Sequence, residues 1–180
     1  MKDISKVLIT EKELDEITTR IAAEIDRDYM GIDGRIVLVC VLKGSIVFMG
    51  ELMKKVKVPV EIECVRVSSY GGGTSTSGTI NLSLDINRPD IGECHLIVVE
   101  DIIDSGLTLT FLVKHLMDKG AKSVRTVTLL DKPSRRKVEF KTDYVGREIP
   151  DEFVIGYGLD YDEKYRALPF VGVLDPAVYS

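Results

Sequence analysis

Glu100, Asp101 and Asp104 stand close to Ser105, Gly106 and Thr108, and no other stretch of the chain gathers so many groups able to do chemistry. The apolar run Leu96, Ile97, Val98 and Val99 leads into the two adjacent acids, and a helical pattern begins at Leu107. The spacing predicts a buried strand that ends in acid, then a tight loop, then the tip of a helix. In an open parallel sheet that junction is where ligands bind. A helix tip with free backbone N–H groups, a glycine and two hydroxyls suits a phosphate. Adjacent carboxylates suit sugar hydroxyls or a hydrated divalent cation. A sugar phosphate wants both. Neighbours on a strand diverge, so Glu100 and Asp101 need not face one ligand. A lone Glu-Asp pair is commonly just a solvated strand end. The Asp-Ser-Gly-x-Thr turn directly behind this pair favours a site.

The elements that must position these groups alternate between strand-like and helical, which favours an α/β fold. Thr10 and Glu13 have the spacing of a capping box, and Leu14, Ile17, Ile21 and Ile25 continue a helix to about Gly31. Residues 35–42 (RIVLVCVL) are nearly all apolar, as in a central parallel strand covered on both faces. Lys43-Gly44-Ser45 is a short turn, with Ser45 placed to cap a helix through Val56. Residues 58–69 read as a strand and 81–85 as its return. Between them, 70–78 (YGGGTSTSG) is so rich in Gly, Ser and Thr that it cannot order itself alone; it is either a plain surface loop or a lid. A helix is expected over 107–119, ended by Gly120, then a strand over 123–130 and short strand-like pieces at 144–146, 153–155 and 170–173. No internal repeat or linker divides the chain, and 1–180 reads as one domain.

Composition narrows the function. With 24 Lys and Arg against 29 Asp and Glu, the 180-residue chain carries a formal charge of −5 and no basic stripe, which argues against nucleic-acid binding. Lys132, Arg135, Arg136 and Lys137 cluster locally and read as a solvated turn. No stretch approaches the ~20 apolar residues of a membrane span, and the first ten residues are too polar for a secretory signal. Cys40, Cys64 and Cys94 lack metal or disulfide spacing and read as reduced, buried thiols of a cytoplasmic protein. His95 and His115 form no ligand cluster. The dinucleotide fingerprint G-x-G-x-x-G and the P-loop are both absent.

Positions 98–108 match throughout the phosphoribosyl-diphosphate motif of the type I phosphoribosyltransferases: an apolar strand, two acids, then Asp-(Ser/Thr)-Gly-x-Thr. Further matches resemble the hypoxanthine-guanine branch, in order from about residue 7 to the C-terminus. Leu42-Lys43-Gly44-Ser45 resembles its diphosphate loop, and Ser69-Tyr70 opens a segment, 69–79, similar to its mobile loop. Lys132 corresponds to its purine-reading lysine. The stretch FVIGYGLD at 153–160 resembles its purine-stacking and metal-binding segment, and Arg166 its diphosphate-contacting arginine.

The resemblance implies a twisted, mostly parallel sheet flanked by helices, with a small hood built from the terminal segments. It implies a purine-salvage reaction joining N9 of a 6-oxopurine to C1′ of 5-phosphoribosyl 1-diphosphate, giving IMP or GMP and diphosphate. Asp104 would be the catalytic proton acceptor. Lys43, Gly44 and Arg166 would meet the diphosphate, and Glu100 and Asp101 the ribose hydroxyls. The turn of Asp104, Ser105, Gly106, Leu107 and Thr108 would hold the 5′-phosphate. Lys132, Phe153 and the Val154 backbone would read the base, although by residue type alone Phe153 reads as core. Mg²⁺ is the implied cofactor, near Glu100, Asp101 and Asp160. In this branch the peptide entering Lys43 can be cis, and members associate as homodimers or homotetramers. A transferase for xanthine or another base, and a non-catalytic phosphoribosyl-diphosphate sensor, are the competing readings.

Overall fold

The computed structural model describes residues 3–69 and 80–179. For Ser69 only the backbone is described, and the rest of the expected mobile loop, Tyr70 included, lies outside the described residues.

The chain opens with β1 (Ile4–Ile9), a strand that the polar N-terminal composition did not suggest. Thr10 then caps α1 (Glu11–Tyr29): its hydroxyl accepts from the Glu13 N–H while the Glu13 carboxylate accepts from the Thr10 N–H. This reciprocal bonding pulls the Glu13 carboxyl down to about 2. Next come β2 (Arg35–Leu42), α2 (Ile46–Lys55) and β3 (Val60–Ser69). Then follow β4 (Ile80–Leu84), β5 (Cys94–Ile103), α3 (Leu107–Asp118) and β6 (Ser123–Asp131). The tail contributes β7 (Tyr144–Glu148), β8 (Val154–Ile155) and β9 (Val171–Leu174).

Six strands form one sheet in the order β4-β3-β2-β5-β6-β7, parallel except where β4 returns against β3. Strand order reverses between β2 and β5, so a crevice opens at their carboxyl ends. The apolar strands divide their residues by parity. Leu38, Cys40, Ile97 and Val99 join α1 and α2 on one face, while Val37, Val39, Leu96 and Val98 join α3 on the other. β1, β9 and β8 make a small antiparallel sheet, the hood, from the two ends of the chain.

Several boundaries differ from the sequence reading. β5 does not end at the acids: it continues through Ile103, with Glu100 opposite Thr128 and Ile102 opposite Leu130 on β6. Ser45 stands at the head of α2 but makes no side-chain cap; its hydroxyl donates back to the Val41 carbonyl (2.7 Å) and approaches the Cys40 sulfur (3.2 Å). Cys64 is only half-buried, unlike Cys40 and Cys94, and all three are free thiols. His95 is structural, held by the Ser123 hydroxyl and the Asp33 carbonyl, and His115 pairs with Asp85. Among the described residues, no helix is long and apolar enough to cross a membrane.

Candidate active site

Two adjoining cavities occupy the crevice. One, of ≈290 Å³, is lined by Lys43, Gly44, Glu100, Asp101, Thr108, Asp160 and Arg166, with apolar walls at Val41, Leu42, Val67 and Ile80. The other, of ≈110 Å³, is lined by Glu100, Ile102, Asp104, Ser105, Gly106, Thr108 and neighbours. Glu100 and Thr108 belong to both walls. A larger hollow of ≈530 Å³, at the opposite end of β2 and β3, holds none of the predicted groups.

The smaller cavity is the tip of α3. Gly106 takes a left-handed conformation (φ 81°) that a side chain would strain, and a Cβ there would press on Arg136, Val138 and Phe140 at 3.1–3.3 Å. The Ser105 hydroxyl accepts from the Leu107 N–H at 3.3 Å, and the helical ladder starts only at Thr110, whose N–H reaches the Gly106 carbonyl. The amides ahead of it are left at the tip, where positive dipole and donors coincide. Arg136 braces the turn from outside: it donates to the Asp104 carbonyl at 2.5 Å and pairs with Asp131.

The larger cavity is acid below and basic at the rim. Burial pushes both carboxyls of the Glu100–Asp101 pair up, Glu100 well above its ordinary range because Asp101 also crowds it. One Glu100 oxygen is buried without a partner, as expected of a group awaiting a ligand. Asp101 lies against Gly44: a Cβ there would fall 1.7 Å from the Asp101 carboxylate. The Leu42-Lys43 peptide just before it is cis. On the rim, Arg166 donates to the Gly158 carbonyl (2.7 Å) and pairs with Asp160 (2.9 Å). Tyr157, Asp162, Glu163 and Tyr165 all adopt left-handed conformations in this stretch, a local strain that the packed surroundings must sustain.

Glu163 is the member that the sequence reading missed. Its carboxylate pairs with Lys43 at 2.8 Å and with Arg166 at 3.4 Å, and Lys43 above all holds it below the usual carboxylate range. It thus neutralises both cations assigned to the diphosphate. Its position three residues before Arg166 was the only signal, and an exposed acid in a charged loop does not stand out.

Beside the turn, Lys132 follows β6, 7% exposed, with its ammonium 3.9 Å from an Asp104 oxygen. Phe153 is not core: it is 39% exposed, just ahead of β8. Its carbonyl accepts from Leu174. By the alternation of an antiparallel ladder, the Val154 N–H and C=O then turn to the free edge of the hood sheet. Leu107 is 41% exposed and does not line the cavity that its neighbours in the turn form. The structure therefore gathers Lys43, Gly44, Glu100, Asp101, Asp160 and Arg166 around one cavity and Asp104, Ser105, Gly106 and Thr108 around the next. Among the described residues, however, no three carboxylate, histidine or cysteine groups converge tightly enough to hold a metal by themselves.

A twisted-sheet site of this kind, acids and a helix tip at the strand-order reversal, defines a class. The phosphoribosyl transferase domain model matches residues 6–162, and the chain belongs to the phosphoribosyltransferase family. Within that family it falls in the hypoxanthine-guanine branch. The hypoxanthine-guanine phosphoribosyltransferase of Bacillus subtilis (strain 168) is 47% identical over 178 residues, covering 99% of this chain and 97% of that protein. A solved hypoxanthine phosphoribosyltransferase from Staphylococcus aureus superposes with a TM-score of 0.93 at 42% identity, covering 99% of this chain and 96% of that one. The Trypanosoma cruzi hypoxanthine phosphoribosyl transferase, studied for the role of its C-terminal region in oligomeric state and enzymatic activity, gives 0.93 and 42% over 99% and 95% of the two chains.

Proposed function

We propose that the chain, acting over 1–180 as a single transferase domain, joins hypoxanthine or guanine to 5-phosphoribosyl 1-diphosphate for purine salvage. The observation that carries this reading is the shared wall. A ribose seated at Glu100 and Thr108 has its 5′-phosphate at the α3 tip in one cavity and its diphosphate among Lys43, Gly44 and Arg166 in the other. Glu163 gives way to the diphosphate, which takes over its two cations. Arg166 can grip such an anion bidentately.

At the base, Lys132 and Asp104 stand side by side, 3.9 Å apart, as O6 and N7 do on one edge of a 6-oxopurine. The buried ammonium donates to O6; adenine presents an amino group there and leaves a buried donor facing a donor. Asp104 takes up the proton released at N7 as N9 bonds to C1′ and the C1′–diphosphate bond breaks. Phe153 supplies the stacking face, and the Val154 backbone the neighbouring ring edge.

Mg²⁺ fits as the cofactor. Buried, partnerless carboxylate oxygen at Glu100, Asp101 beside it and Asp160 in the same cavity wall suit a hard cation, and the lack of a protein cage among the described residues suits an ion that arrives on substrate phosphates and keeps its waters. Held there by Glu100, Asp101 and Asp160, the ion would offset charge on the departing diphosphate. Free thiols support a reducing, cytoplasmic setting.

Asp104→Asn tests the assignment. Turnover should fall about 10²–10⁴-fold while phosphoribosyl diphosphate still binds, read by calorimetry on the same protein. Full rate in the variant assigns the purine proton to another group.

A further inference from the structure

We propose that Tyr179 is a positioning residue for the base, backing the Phe153 ring on the face away from the purine. This rests on the reading of Phe153 as the stacking platform. Phe153 stands outside any strand and is well exposed, so the backbone alone does not fix its ring. Two tyrosines do. The Tyr179 ring lies stacked at 5.2 Å between centroids with 30° between planes, and the Tyr161 ring meets Phe153 edge-on at 5.7 Å and 88°. Face and edge are therefore both held.

The chain takes definite steps to bring Tyr179 there. β9 ends with the Leu174 N–H donating to the Phe153 carbonyl at 2.9 Å. Asp175 donates its N–H to Asp3 and accepts from the Ala177 N–H through its side chain, starting the 3₁₀ turn Pro176–Val178. The Tyr179 N–H closes that turn on Pro176. The cavity of ≈340 Å³ that Phe153 and Tyr179 line, with Arg135 and Asp151, shares no residue with either acid-walled cavity. With the Tyr179 ring stacked on one face of Phe153, a base can take only the other face. Its hydroxyl makes no hydrogen bond among the described residues, so the ring is the acting part.

Kinetics of Tyr179→Ala, Tyr179→Phe and Phe153→Leu decide the matter together. Loss of a stacked ring should raise the KM for hypoxanthine about two- to tenfold in Tyr179→Ala, with the KM for phosphoribosyl diphosphate and the Tm unchanged. Tyr179→Phe should restore the wild-type KM. If Tyr179→Ala leaves the hypoxanthine KM unmoved while Phe153→Leu raises it, the platform stands and the backing role is wrong. If Phe153→Leu itself moves nothing, the platform reading fails and takes this inference with it. Equal rises in both KM values with a lowered Tm would mark Tyr179 as a folding residue and overturn the proposal.

Discussion

Glu100 shows how one residue can trade stability for function. Its carboxyl is buried at the sheet end beside Asp101 and holds its proton well above the ordinary 4.5. Below that value the group is protonated whether the chain is folded or not, and folding suffers no penalty. As pH rises, the unfolded chain releases the proton while the folded one retains it, so stability falls until the folded group also titrates. Glu100→Gln removes that linkage. Without ligands, the variant should melt above wild type at pH 8 by about 2–4 °C for each kcal/mol relieved, with little difference near pH 4. A Tm difference that is the same at both pH values contradicts the argument. The variant should bind phosphoribosyl diphosphate more weakly, because the partnerless oxygen is what the ribose or a hydrated cation would claim.

Between elements, close backbone approach replaces side-chain contact. A Cβ on Gly158 would fall 2.0 Å from the Gly44 carbonyl, and one on Gly44 1.7 Å from Asp101. Hood, diphosphate loop and acidic strand are therefore stacked with no room for a methyl group. Gly158→Ala, also strained by its φ of 101°, should destabilise the fold by about 1–3 kcal/mol. It should raise the KM for phosphoribosyl diphosphate more than that for hypoxanthine; the reverse order in steady-state kinetics would deny the hood its part in shaping the diphosphate side. Sequence made much of this scale legible. The 104–108 turn was plain because helix tips that bind phosphate need a glycine and hydroxyls at fixed spacing, and β2 and β5 were plain because strands covered on both faces are continuously apolar. β1 was not, since half of it faces solvent and it is a strand only by pairing with β9, 160-odd positions away. Ser45 misled for a related reason: its type suits a cap, but the chain geometry after Lys43 turned its hydroxyl back to Val41. Glu163 and Tyr179 act through contacts that no local pattern encodes.

At the scale of the molecule, the sheet's order reversal locates the crevice, and the stretch between β8 and β9 brings Asp160 and Arg166 to its rim. In the proposed reading, sugar, phosphate and base would each be met by a different element: β5, α3 and the β6–hood side respectively. On that reading, specificity for the base rests on Lys132, Phe153 and the Val154 backbone, with Lys132 beside Asp104 where base and phosphoribosyl groups meet. The decisive measurement is diphosphate release with Mg²⁺ and phosphoribosyl diphosphate in the presence of hypoxanthine, guanine, xanthine or adenine, each in turn. Rapid turnover with hypoxanthine or guanine and at least a hundredfold slower release with adenine, about what a mismatched buried donor imposes, is the predicted result. Adenine serving as well as hypoxanthine, or no release with any 6-oxopurine, would contradict it.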